Sequence, residues 1–118
     1  DSLLIIDGSQ SIGALPFDIS KIGADAVFTV GYKWLLGPFS LGLAYFGEYF
    51  DNGSPLEENW INRKDSDDFQ NLVDYTHHYR PHAGRYNVGE NSNFHLTPII
   101  NGAIEQLNDW KVENIQKY

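Results

Sequence analysis

The sequence predicts an α/β fold, and three observations carry that prediction. Leu3-Leu4-Ile5-Ile6 is a continuous β-favouring run that stops at Asp7-Gly8-Ser9. Asp25 to Val30 is a second such run, ended by Gly31 and joined to the first by a crossover. From Ile99 to Trp110, apolar residues recur at helical spacing. A strand apolar on both faces suits a sheet covered on both sides, and strands linked by a crossover run parallel.

Each element follows from local chemistry. Residues 16–24 read as a loop and a short helical turn. Leu41 to Phe46 is a third strand, after the Gly37-Pro38 turn. Residues 51–70 are polar, with a turn at Asp51-Asn52-Gly53-Ser54-Pro55 and a charged patch at Asp65-Ser66-Asp67-Asp68. That segment reads as a solvated loop and as the one plausible seam in the chain. Thr97 is placed to cap a helix with Pro98 at its first position. Ile99, Ile100, Ala103, Ile104, Leu107 and Trp110 then form one apolar stripe, which is core packing.

Composition narrows the function classes. With 42% hydrophobic and 14% aromatic residues, 118 residues suffice for one modest core and argue against disorder. Sixteen acidic residues against eight basic give a net charge of −8, which repels phosphate backbones and argues against a nucleic-acid partner. The chain has no cysteine, so disulfides and thiolate metal sites are excluded, and a reducing, cytoplasmic setting fits. No apolar stretch approaches the roughly 20 residues of a membrane span. The chain opens at Asp1 directly on an apolar run and stops at Tyr118 inside a fresh helical pattern, so it reads as a piece of something longer.

Chemistry is expected at the strand ends. Ligands of open α/β sheets bind in the crevice outside the carboxyl ends of the strands. Asp7 closes the first strand and Lys33 follows the second, so parallel strands would turn an acid and an amine toward one crevice. The bland alternatives are a strand-end turn residue for Asp7 and a surface amine for Lys33.

The wording of the two segments decides between these readings. Asp7-Gly8-Ser9-Gln10-Ser11-Ile12-Gly13 and Gly31-Tyr32-Lys33-Trp34-Leu35-Leu36-Gly37-Pro38 together resemble the cofactor-binding core of class V aminotransferases. That family includes cysteine desulfurases, kynureninases, isopenicillin-N epimerase-like proteins and several transaminases. The resemblance continues through Arg85-Tyr86-Asn87-Val88-Gly89 and Val112-Glu113-Asn114-Ile115.

The resemblance implies a pyridoxal 5'-phosphate (PLP) enzyme of fold type I. Residues 1–118 would be part of its large domain, a mostly parallel sheet flanked by helices, with the third strand antiparallel. Lys33 would form the Schiff base with the cofactor and move the proton at the substrate's α-carbon. Asp7 would face the pyridine nitrogen and keep it protonated, while Gln10 would hydrogen-bond the ring's phenolic oxygen. Ser9 would pack under the ring. Tyr32 would donate to the phosphate, as the Tyr before the lysine does in kynureninases. The expected substrate is a small amino-group compound, and the expected assembly is a homodimer. Alone, the chain should be inactive.

Some positions depart from the family. Val30 offers no hydroxyl where desulfurases carry Ser, and Glu90 stands where Thr or Asn is usual, so its charge would repel a phosphate. Asn91 is a possible substitute. Trp60 sits at about the distance past the lysine where kynureninases place a Trp. These departures leave room for a non-catalytic scaffold or dimer partner that has lost tight cofactor binding. His77, His78, His82 and His95 lack acids at a recognisable ligand spacing, so no metal is expected. An apolar strand ending Asp-Gly-Ser also resembles the first phosphate turn of actin-like sugar kinases, but their second acidic strand end is not evident.

Overall fold

The computed structural model describes residues 2–91 and 93–118 and shows an α/β chain in two compact units. The first unit comprises Asp1–Tyr45 and Asn93–Tyr118; the second is Phe46–Ser92. The polar stretch 51–70 therefore lies inside the second unit and is not the seam that its composition suggests.

In the first unit, β1 (Ile5–Asp7) and β2 (Ala26–Val30) pair in parallel, with Ile5 opposite Ala26 and Asp7 opposite Phe28. Asp25 sets this register. Its carboxylate accepts from the Leu4 amide at 2.7 Å, while its own amide donates to the Leu4 carbonyl at 2.8 Å. The crossover contains α1 (Ile19–Ile22), which Asp18 caps by accepting from the Ser20 amide. Gly23 ends it in the left-handed conformation that glycine adopts without steric cost.

The third strand, β3 (Gly42–Phe46), lies beside β2. The Gly31 amide donates to the Leu41 carbonyl at 2.8 Å, so the end of β2 meets the start of β3, as in an antiparallel pair. The result is a small mixed sheet, not a mostly parallel one. Ala26, Val27 and Thr29 are buried, yet Leu3, Leu4, Ile5, Leu43 and Tyr45 are exposed. The expectation of a sheet covered on both faces is met only in part: Ala26, Val27 and Thr29 of β2 are buried, whereas Phe28 on the same strand and the apolar residues of β1 and β3 stay exposed.

Helix α2 (Leu96–Trp110) starts one residue before Thr97. Asn93 serves this end: its side-chain oxygen accepts from the Leu96 amide at 2.9 Å, and its carbonyl accepts from Thr97. Thr97 and Pro98 then fall in the first turn, where a missing N–H costs nothing. Ile100 and Leu107 are buried, each worth about 1.5–3 kcal/mol of apolar burial. Ile99 and Trp110 are exposed, so the inward stripe is narrower than the sequence pattern. Lys111, at a φ of 63°, separates α2 from α3 (Val112–Lys117).

The second unit is held by polar contacts around buried Asn62 and Ser66. The Asn62 side chain donates to the Glu57 carbonyl at 2.8 Å, and Arg80 donates to the Ser66 hydroxyl at 2.8 Å and to Asp67 at 3.0 Å. Tyr79 donates to Glu58, and the Arg63 guanidinium lies 4.3 Å from its ring centre. The acidic patch is thus partly structural: Asp67 pairs with Arg80, and Asp68 caps a short 3-10 turn at Phe69–Asn71.

Candidate active site

Asp7 stands exposed at the carboxyl end of β1, where the chain turns sharply. The Gly8 amide donates to the Phe28 carbonyl at 2.7 Å, and the Gly8 carbonyl accepts from Ser11 and Ile12 at 3.0 and 2.9 Å. The Asp7 carboxylate accepts from the Ser9 amide at 2.9 Å. Hydrogen bonding from the Ser9 hydroxyl, and then from its amide, holds the Asp7 carboxyl below the ordinary carboxylate value. The positive charge of Lys33 pulls in the same direction. Asp7 and Lys33 are therefore in electrostatic reach of one another on the strand-end side of the sheet, as parallel pairing requires.

Lys33 is half-buried on a closed loop. The Gly37 amide donates to the Gly31 carbonyl at 2.8 Å, and the Leu36 amide donates to the Lys33 carbonyl at 3.0 Å. Leu36, within this closed loop, takes a φ of 55°, a left-handed conformation that costs an L-residue energy. Tyr32 stacks on Phe39 with ring centres 4.5 Å apart, and both rings are exposed. Gln10 is exposed on the turn after Asp7, and Ser9 is half-buried. Asp7, Gln10, Tyr32 and Lys33 all belong to the first unit.

Two further residues shape this region without a chemical signal of their own. Gly13 has a φ of 93°, and a Cβ there would lie 2.5 Å from the Trp34 carbonyl oxygen. Ile100 of α2 packs where Gly31 and Gly37 would otherwise carry side chains. Sequence inspection sees Gly13 only as part of a motif and Ile100 only as part of a core stripe.

The remaining candidates lie in the second unit. Arg85 donates to the Gly53 carbonyl at 2.9 Å, and Tyr86 stacks on Phe46 at 4.6 Å. The Gly89 amide donates to the Glu57 carboxylate, which also accepts from the Asn59 side chain at 3.1 Å. Glu90 is exposed with a φ of 52°, and Asn91 is exposed beside it. Trp60 meets Phe69 edge-on at 5.8 Å and, with Arg63, Tyr75 and His77, lines an open cavity of about 760 Å³. His82 pairs with Asp51 at 3.0 Å. Among the described residues, no group of three or more His, Cys, Asp or Glu side chains is arranged to hold a metal. No helix among them is long and apolar enough to cross a membrane.

Comparison with known proteins places the chain in a family. The sequence pattern of the family Aminotransferase class-V matches residues 1–118. The chain belongs to the class V aminotransferase family. A kynureninase from Geobacillus thermodenitrificans is 29% identical over 118 residues, covering 98% of this chain and 26% of that protein. An isopenicillin N epimerase from Amycolatopsis lactamdurans is 32% identical over 68 residues, covering 55% of this chain and 17% of that protein. The apo structure of a cysteine desulfurase from Thermococcus onnurineus superposes with a TM-score of 0.78 at 19% identity, covering 98% of this chain and 28% of that chain. That likeness establishes a shared fold. The chain thus spans about a quarter or less of the length of these relatives.

Proposed function

We propose that this chain is the central part of the cofactor-binding large domain of a fold-type-I, PLP-dependent enzyme that acts on an amino acid or a related amine. The observation that carries this reading is the acid–amine pair at the ends of adjacent parallel strands, Asp7 and Lys33. The donor set suits the cofactor. Ser9 holds Asp7 in its ionised form, which is the form a protonated pyridine nitrogen needs beside it. Lys33 sits on a loop whose two ends are joined by the Gly37-to-Gly31 hydrogen bond.

When bound, PLP supplies an electron sink for charge developing at the substrate's α-carbon. Lys33 would hold the cofactor and move the proton at that carbon, Asp7 would keep the ring's pyridine nitrogen charged, Gln10 would hydrogen-bond the phenolic oxygen, and Tyr32 would donate to the phosphate. The reaction type, whether transamination, β-lysis, desulfuration or epimerisation, depends on residues outside this chain. On the family's pattern the large domain builds a mostly parallel sheet, the working unit is a homodimer, and the cysteine-free sequence suits the cytoplasm. The exposed apolar faces of β1 and β3 fit coverage by further parts of such a domain. On its own, the 118-residue chain should be inactive.

Borohydride reduction of the full-length protein with PLP, followed by peptide mapping, tests the reading. The pyridoxyl group should appear on Lys33. Its reproducible appearance on Lys21, Lys64 or Lys111 would overturn the assignment, and no incorporation at all would favour a scaffold without the cofactor.

A further inference from the structure

The loop that carries Lys33 is gripped from two sides by residues that the chemistry itself does not call for. On one side stands Gly13, in the turn that begins at Asp7. With a φ of 93°, it adopts a conformation that L-residues rarely reach, and it also lies close against the lysine loop. A Cβ on Gly13 would lie 2.5 Å from the carbonyl oxygen of Trp34 and 2.8 Å from its carbonyl carbon. Both are backbone atoms, which cannot swing aside as a flexible side chain can.

On the other side stands Ile100, 6% exposed, on the inward face of α2. Its Cδ1 lies 3.1 Å from where Gly31 would carry a Cβ and 3.3 Å from the same point on Gly37. Those glycines are the two ends of the lysine loop, already joined by the Gly37-to-Gly31 hydrogen bond. The isoleucine therefore closes the base of the loop, while Gly13 abuts the residue next to Lys33.

We propose that Gly13 and Ile100 are positioning residues for Lys33, clamping its loop between the turn after β1 and helix α2 and so setting the gap between the Asp7 carboxylate and the Lys33 amine. The inference rests on Lys33 being the cofactor lysine. A lysine amine rides on a flexible four-carbon stem, so its reach is only as well defined as the backbone that carries it. Displacement of a reacting group by about 1 Å can cost on the order of a hundredfold in rate. Because the Gly13 turn also carries Asp7, one contact places both members of the pair in a common frame.

The test measures how fast Lys33 captures cofactor, not turnover. Full-length protein freed of cofactor is mixed with PLP, samples are reduced with borohydride at timed intervals, and incorporation is mapped at Lys33 and at exposed Lys21 as an internal reference. Thermal unfolding is recorded alongside. Ile100→Val removes only the Cδ1 that fills the base of the loop, and Gly13→Ala drives a methyl at Trp34. Gly23→Ala is the control: its φ of 69° brings similar backbone strain, but nothing lies within 4 Å of the added atom. Ile100→Val and Gly13→Ala should slow capture at Lys33 by roughly tenfold or more, with Lys21 unchanged. Gly23→Ala should lower the unfolding temperature and leave Lys33 at the wild-type rate.

If Gly13→Ala does not fold, Ile100→Val decides alone. Wild-type capture in Ile100→Val, or equal slowing in Gly23→Ala, would overturn the clamp. Wild-type protein that captures PLP at a different lysine would instead remove the cofactor reading itself, an outcome visible before any variant is made.

Discussion

The amide of Gly37 donates to the carbonyl of Gly31 at 2.8 Å, so the excursion that carries Lys33 leaves and rejoins the end of β2 at nearly one point. Gly31 in turn donates to Leu41, at the threshold of β3. A single glycine thereby ties the end of one strand, the return of the loop and the start of the next strand. The lysine is presented by a closed backbone ring, whereas Asp7, opposite, is held by a tight turn through Gly8 and Ser9.

The first prediction concerns that turn and pH. Ser9 is the main reason the Asp7 carboxyl titrates below its ordinary value. Ser9→Ala removes the hydroxyl but keeps the amide, so the Asp7 pKa should rise part of the way back. A depressed carboxyl contributes stability that is present above the unfolded value, near pH 4, and is lost as pH falls through the lower folded value. The variant should therefore lose less stability than wild type on acidification across that window. An NMR titration of the Asp7 carboxyl carbon reads this directly, and an unchanged midpoint would show that Ser9 does not govern it.

A second prediction follows from the charge that Asp7 carries. Asp7→Asn keeps the shape and the Ser9 amide within range but removes the negative charge that the proposed function puts beside the ring nitrogen. In the full-length enzyme it should slow α-proton chemistry by roughly 10²- to 10⁴-fold, with PLP retention much less affected. Steady-state kinetics beside a cofactor-dialysis assay separates the two effects. Wild-type turnover in the variant would mean that Asp7 does not face the ring.

The phosphate supplies the third. Val30 cannot donate, so Tyr32 should bear much of the phosphate binding from its side of the site. Tyr32→Phe, which preserves the stack on Phe39, should weaken PLP affinity by roughly 10- to 150-fold. Glu90 needs a different substitution from the family's Thr. At a φ of 52° a β-branched residue is strained, whereas Asn tolerates that region. Glu90→Asn should tighten PLP binding if the phosphate approaches Glu90. Normal binding in Tyr32→Phe together with no change in Glu90→Asn would place the phosphate elsewhere.

Much of this molecule was legible in its sequence because the relevant forces act over a few residues. The apolar runs before Asp7 and Gly31 mark strands through side-chain preference, and a crossover between them makes the pair parallel. The short helical turn read within 16–24 is α1, which Asp18 and Gly23 bracket by local hydrogen bonding and left-handed tolerance. Asp7 and Lys33 could be singled out because turn chemistry places them at strand ends, and the wording of the two turns carries the family.

Only the tertiary structure decided what depends on distant partners. The start of α2 is served by Asn93 and not by Thr97, because the Leu96 amide meets that particular side-chain oxygen. The second unit coheres through Arg63, Tyr79 and Glu58, a cluster with no periodicity to betray it. Gly13 meets Trp34, and Ile100 meets Gly31 and Gly37, only because a turn, a loop and a helix far apart in sequence converge. Periodicity and turn preference are properties of neighbouring residues, whereas close approach is a property of the packed whole. That is why the sequence could single out Lys33 but not the contacts that Gly13 and Ile100 make with its loop.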